Sequence, residues 1–132
     1  MVEKGIVNEW IEKAEDDFEF ARINLEEGKR FFPQICFHFH QAGEKYLKAY
    51  IVANELEFRK IHDLSMLLRL CIEKDPSFKQ IRDECEFLNG FYMDTRYPVQ
   101  WPAKFSAEEA QKAHQASLQI RSFVESKLGE RS

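Results

Sequence analysis

The chain of 132 residues is poor in helix breakers, with 5 glycines and 4 prolines. Gly28, Pro33, Pro76, Pro98, Pro102 and Gly129 stand where apolar patterns stop or start. No segment sustains the alternation of apolar and polar residues that a half-buried strand needs, so a sheet is excluded. No apolar run approaches the ~20 residues that span a bilayer, and no membrane association is expected. The N-terminus, MVEKGIVNEW, lacks the apolar stretch of a signal peptide, so the expected compartment is the cytoplasm. Cysteine is also scarce. Cys36, Cys71 and Cys85 are odd in number, show no C-x-x-C spacing and lie inside apolar helical patterns. They are expected as reduced, buried thiols, with no structural zinc. Positive charge is not in excess: 23 acids face 19 bases, for a net charge of −4. That balance argues against general nucleic-acid binding, which relies on neutralising phosphates, and leaves room only for a local basic site. No repeat, low-complexity tract or shift in composition marks a second unit, so residues 1–132 are expected to form one domain.

What the chain does have is a large apolar complement, 44% of residues including 12 phenylalanines, enough for a real core. The apolar residues recur three and four apart. Val7, Trp10, Ala14, Phe18, Ala21 and Leu25 predict a helix from about Asn8 to Glu27, stopped by Gly28. Ile35, Phe39, Ala42, Tyr46, Ala49 and Ala53 predict a second from about Pro33 to Asn54. Leu64, Leu67, Leu68 and Cys71 predict a shorter third, with Asp63 as N-cap. Phe78, Ile81, Cys85, Leu88, Tyr92 and Thr95 predict a fourth that opens on Pro76. The fifth begins at SAEE, where Ser106 and Glu109 form a capping box, and runs to Gly129. The expected fold is all-α: an up-and-down four-helix bundle with an additional short helix.

Several polar residues do not fit a bland amphipathic pattern. On the second helix Gln41, Glu44 and Lys48 share a face, with Lys45 beside them. Glu44 and Lys48 form either a solvated surface pair or a device that orients cations toward an anionic ligand. Asp17 lies between Ala14 and Ala21, near the apolar stripe. It sits at the stripe's edge in water or meets a cation inside the bundle, Arg96 being one candidate. His38 and His40 are two apart and point to different faces, the wrong spacing for helical metal chelation. His40 and Glu44 are four apart, but two ligands do not define a metal site. His62, before Asp63, is a capping-region residue or a group that titrates near neutrality. His114 reads as surface or edge packing. In MDTRYPVQWP, Pro98 disfavours helix at Tyr97 and leaves Arg96 at a helix C-terminus. Tyr97 and Trp101 then cover a bundle end while Arg96 caps carbonyls. Alternatively, a stiff loop presents a planar cation to phosphate or carboxylate, with rings able to stack on a base.

Four segments taken together, WIEKAEDDFEFA, FHFHQAGEKYLKAY, HDL and TRYP, resemble the HEPN domain, a cytoplasmic all-α domain of prokaryotes and higher eukaryotes. The resemblance runs from about Asn8 to Val124. It implies a four-helix up-and-down bundle with a short extra helix, commonly homodimeric and associated with nucleotides or nucleic acid. It also implies a possible minimal nucleotidyltransferase partner, in some cases as a toxin–antitoxin pair. No cofactor or metal is expected. The family's characteristic polar positions fall on Asp17, Gln41, Glu44, Lys45, Lys48, His62, Asp63, Arg96 and Tyr97. Ligand contact is expected of Lys45, Lys48, Arg96 and Tyr97, supported by Asp17, Gln41, Glu44 and Asp63. One departure limits the enzymatic implication. HEPN ribonucleases carry Arg followed, after four to six residues, by His, and no histidine here has an arginine at that distance upstream. His62 with Arg96 is the remaining pair for catalysis. A phosphate-binding module, a ribonuclease with a variant pair and a purely structural interaction protein therefore all remain open.

Overall fold

The structure, a computed structural model, describes residues 4–57, 61–96 and 105–129, with the side chains of 92–96 excepted. Its helices are α1 (Lys4–Glu26), α2 (Phe32–Ala53), α3 (Leu64–Lys74), a 3-10 helix (Pro76–Ile81), α4 (Arg82–Arg96) and α5 (Ala107–Gly129). This is the expected up-and-down four-helix bundle of α1, α2, α4 and α5, with α3 as the additional short helix.

Local chemistry sets most of the boundaries. α1 begins at Lys4, about one turn earlier than the apolar pattern predicts, with Gly5 taken into its first turn. It ends at Gly28, whose φ of 76° is a left-handed conformation that glycine adopts without a Cβ penalty. The Gly28 and Lys29 amides donate to the Leu25 and Asn24 carbonyls at 3.1 and 3.0 Å, the paired bonds of a Schellman stop. Asp63 caps α3 as expected: Oδ1 accepts from the Ser65 and Met66 amides at 2.8 and 3.1 Å. Ser106 Oγ accepts from the Glu109 amide at 3.2 Å at the start of α5.

The predicted fourth helix is in fact two pieces. Asp75 Oδ1 accepts from the Ser77 amide at 3.0 Å and from its hydroxyl at 2.7 Å, and the Phe78 amide donates to the Asp75 carbonyl at 3.1 Å. These short-range bonds tighten the turn to three residues. Phe78 and Ile81, three apart, then both point inward. Apolar spacing alone does not separate this from an α-helical first turn.

Side-chain pairs fix the directions. Trp10 meets Lys48, Glu15 meets Tyr46 and Phe18 meets Phe39, so α1 and α2 run antiparallel. Tyr50 lies against Phe78, and a Cβ on Gly43 would meet Leu88 Cδ1 at 3.5 Å, so α2 and α4 are antiparallel too. Ser117 Oγ donates to the Phe39 carbonyl, and Ile120 Cδ1 stands 3.4 Å from that Gly43 position, which runs α5 parallel to α2. α2 is the central element, packed against all the other α-helices and buried on almost every side. The core around it contains Phe18, Phe39, Tyr46, Leu47, Phe78, Leu88 and Ile120. Cys36, Cys71 and Cys85 are free and buried in it. Burial pushes the Cys36 and Cys71 thiols up to about 12, and Cys85 upward as well.

Candidate functional site

Because α2 is enclosed, a polar stripe on it has to be explained. His40, Glu44 and Lys48 follow one another at one-turn intervals and all are buried. Lys48 Nζ donates to Glu44 Oε2 at 2.8 Å, and His62 Nδ1 donates to the same oxygen at 3.0 Å. Glu44 is 2% exposed and Lys48 4%. The solvated surface pair is thereby corrected: Trp10 from α1 covers Lys48, with Nζ 5.6 Å from the ring centroid, and His62 covers Glu44. Glu44 Oε1 is closed off from solvent with no hydrogen-bond donor among the described residues. A buried pair of this kind gains little net stability over apolar packing, yet breaking it by removing one partner is costly.

His62 is the outward member, its side chain 49% exposed. A carboxylate on Nδ1 fixes the ring orientation and places the proton on that nitrogen. The backbone that carries the ring is pinned as well. Asp63 Oδ1 accepts from Asn89 Nδ2 at 3.3 Å in addition to capping α3, and Asn89 Oδ1 accepts from the Leu64 amide at 2.9 Å. Asp63 is therefore a brace between α3 and α4. Asp63→Ala should lower unfolding free energy by about 1–2 kcal/mol, the range for a lost N-cap. Urea melts read through the Trp fluorescence check it.

His40 Nδ1 donates to Gln41 Oε1 at 3.1 Å, and the ring lies near Phe37 at 6.0 Å. Burial pushes its pKa down to about 4, against the opposing pull of Glu44 and the Gln41 hydrogen bond. Gln41 thus supports His40 rather than joining Glu44.

Asp17, Lys45 and His38 form a second cluster along the α1–α2 seam. Asp17 accepts from Lys45 Nζ at 2.5 Å through Oδ2 and from His38 Nδ1 at 3.0 Å through Oδ1. Of the two readings of Asp17, the meeting with a cation inside the bundle holds, with Lys45 as the cation. Burial alone would raise its pKa, but the His38 and Lys45 hydrogen bonds and their charges outweigh this and hold the carboxyl below its ordinary value. Phe20 from α1 packs on His38, ring centroids 4.6 Å apart. His114 packs at the bundle edge, stacked on Phe39 at 5.2 Å.

One polar network has no counterpart in the sequence reading. Tyr46 donates its hydroxyl to Glu15 Oε1 at 2.5 Å, and Arg121 Nε reaches Glu15 at 3.1 Å and Glu125 at 3.0 Å. The Arg121 guanidinium also lies 5.1 Å from the Phe18 ring centroid. Tyr46 occupies a core position on the apolar stripe, so nothing in its spacing marks the phenol as a tie between α1, α2 and α5.

The HEPN domain family matches residues 7–127, nearly the whole chain. This chain belongs to the HEPN family. Among solved structures, TT1696 from Thermus thermophilus is 27% identical with a TM-score of 0.76, over 92% of this chain and 97% of the other. ST0689, an archaeal HEPN homologue, is 25% identical with a TM-score of 0.72, over 92% and 96%. No curated protein matches the chain.

Not all of the expected HEPN positions come together. Glu44, Lys48 and His62 form one cluster; Asp17 and Lys45 form another with His38; Asp63 braces a helix start. Tyr97, Trp101 and the Arg96 side chain lie outside the described residues, and so does the expected Asp17–Arg96 pairing. Among the described residues no group of three His, Cys, Asp or Glu side chains is placed to hold a metal ion, and no helix is long and apolar enough to cross a membrane.

Proposed function

We propose that this HEPN chain binds the phosphate of a nucleotide or of RNA at the outer edge of His62. In this reading it acts as a homodimer and works with a minimal nucleotidyltransferase partner in a toxin–antitoxin-like pair. The observation that carries the site is the single buried oxygen, Glu44 Oε2, which accepts from both Lys48 and His62. A carboxylate and an ammonium have been taken out of water, and their visible product is a half-exposed imidazole held in one orientation. Lys48 is too deep to touch a ligand and acts from behind by neutralising Glu44. Lys45 does the same for Asp17. Arg96 and Tyr97, two of the family's characteristic polar positions, are the residues expected to supply the remaining contacts. Calorimetric titration of ATP and of a short single-stranded RNA tests the reading. His62→Ala and Arg96→Ala should each weaken binding about tenfold or more, the loss of a charge-assisted contact, while melting temperatures stay near wild type. Unchanged affinity in both variants would contradict it.

One observation favours a second reading. An imidazole with a carboxylate on Nδ1 is also an arrangement for general acid–base chemistry, and RNA cleavage needs such a base near the 2′-hydroxyl. A ribonuclease built on His62 and Arg96 would cut RNA in EDTA and lose that activity in His62→Ala. Intact RNA after prolonged incubation with concentrated protein excludes it. If neither binding nor cleavage is found, the chain is left as a structural interaction module.

A further inference from the structure

Away from His62, a shallow groove of about 470 Å³ lies between α4 and α5. Phe87 and Ala116 form its floor, and Asp83, Glu84 and Glu108 edge it against one ammonium, Lys112. We propose that this groove docks a basic amphipathic helix of a partner protein.

Three features point to that occupant. The first is composition. The lining joins apolar surface from Phe87 and Ala116 to the uncharged amides of Gln111, Gln115 and Gln119, beside the charged Asp83, Glu84, Glu108 and Lys112. Apolar and aromatic contact surface bordered by polar and charged groups is a pattern of protein interfaces. The second is electrostatic. Three carboxylates against one ammonium leave the edge acidic, and the Lys112–Glu108 contact is loose, at 3.9 Å with both side chains largely exposed. Glu84 Oε1 is closed off from solvent and has no hydrogen-bond donor among the described residues. A buried acceptor without a donor is costly, and an arriving guanidinium or ammonium supplies the donor after a small side-chain rotation. The third is shape. From Glu108 to Gln119 the groove follows α5 for about 16 Å, three helical turns. A groove between two packed helices is completed by a third helix laid into it, with anchors at i, i+3, i+4 and i+7. The matching segment carries a short apolar stripe flanked by Arg and Lys. This surface shares no residue with the Glu44–His62 cluster, so the inference does not rest on the phosphate-binding reading.

The probe is a fluorescein-labelled synthetic helix of about twelve residues, three turns long, with leucines at those anchor spacings and Arg and Lys beside them. Anisotropy and amide chemical-shift mapping are read on the full chain. The peptide should bind saturably, shift amides in 83–87 and 108–119, and weaken with salt. The triple variant Asp83→Asn, Glu84→Gln, Glu108→Gln should bind about tenfold more weakly. Gln115→Arg, an exposed position where folding is not at risk, should do the same. Absence of binding, equal binding of a peptide with glutamates in place of the basic residues, shifts on another face, or indifference to both variants would overturn the proposal. So would an RNA oligonucleotide that produces the same shifts.

Discussion

Replacing Glu44 with alanine should lower the unfolding free energy by about 3–5 kcal/mol, the cost of leaving one buried charge without its partner. The loss comes from Lys48. Its ammonium is buried beneath Trp10 and donates to Glu44 Oε2, so removing that carboxylate takes the ion-pair partner from a charge held out of water. The same physics makes a sharper prediction about the pair. Replacing both residues, Glu44→Leu with Lys48→Met, removes the desolvation cost together with the attraction, so most of the lost stability should return. His62 then loses its carboxylate, but its half-exposed ring can turn to water. The double variant should therefore fold well and bind phosphate poorly. Denaturant melts of the single and double variants, with ligand titration on each, separate the two roles. A double variant as unstable as Glu44→Ala would mean that the pair holds the fold rather than the imidazole.

The second large effect is acid sensitivity well above the carboxylate range. His40 is buried in the folded chain and its pKa falls from 6.5 to about 4. The unfolded chain therefore takes up a proton at a pH where the folded chain does not. Above pH 6.5 the contribution to stability is fully present, and it is lost as pH falls through 6.5 toward 4. A shift of this size corresponds to about 3 kcal/mol at the acid end. His114, also pushed down by burial, adds a smaller loss of the same sign. Asp17 acts in a separate window. Its carboxyl lies below the ordinary 3.8, so its contribution persists above that value and is lost only as pH falls through the lower, folded one. Thermal melts across pH 7 to 4 should show the decline, and His40→Gln should flatten it. A profile in His40→Gln that matches wild type would remove His40 as the cause.

What could be read from the sequence was governed by range. Gly28, Asp63 and Ser106 act on backbone groups within a few residues, so their spacing states their role and the structure shows each one capping. The apolar stripes place four long helices for the same reason. Asp75 is also local, yet its role does not show in the pattern: its bonds to Ser77 turn the expected start of a helix into a 3-10 segment, and the apolar spacing of Phe78 and Ile81 fits both. Burial of a charge pair is a different kind of fact. A Glu and a Lys one turn apart read the same on a surface as inside a bundle. What decides is Trp10 arriving from α1 and His62 from the start of α3, neither of which the second helix encodes. Likewise the partner of Asp17 is 28 residues away and lies on the next helix. Tyr46 hid its role by being apolar enough for the core while its hydroxyl reaches Glu15. The HEPN resemblance did mark Asp17, Glu44, Lys45, Lys48, His62 and Asp63, but it did not sort them. The geometry divides them into an imidazole holder, a seam clamp and a helix brace.

The central claim is that the Glu44–Lys48 pair exists to present His62 to a phosphate. The most direct test follows the imidazole signals of His38, His40, His62 and His114 by NMR while ATP, and separately a short RNA, is added. The account predicts that the His62 ring resonances move saturably with ligand, that His114 stays still, and that the response disappears in Glu44→Leu/Lys48→Met. A His62 signal that remains fixed while ligand binds elsewhere, or while no ligand binds at all, would contradict it.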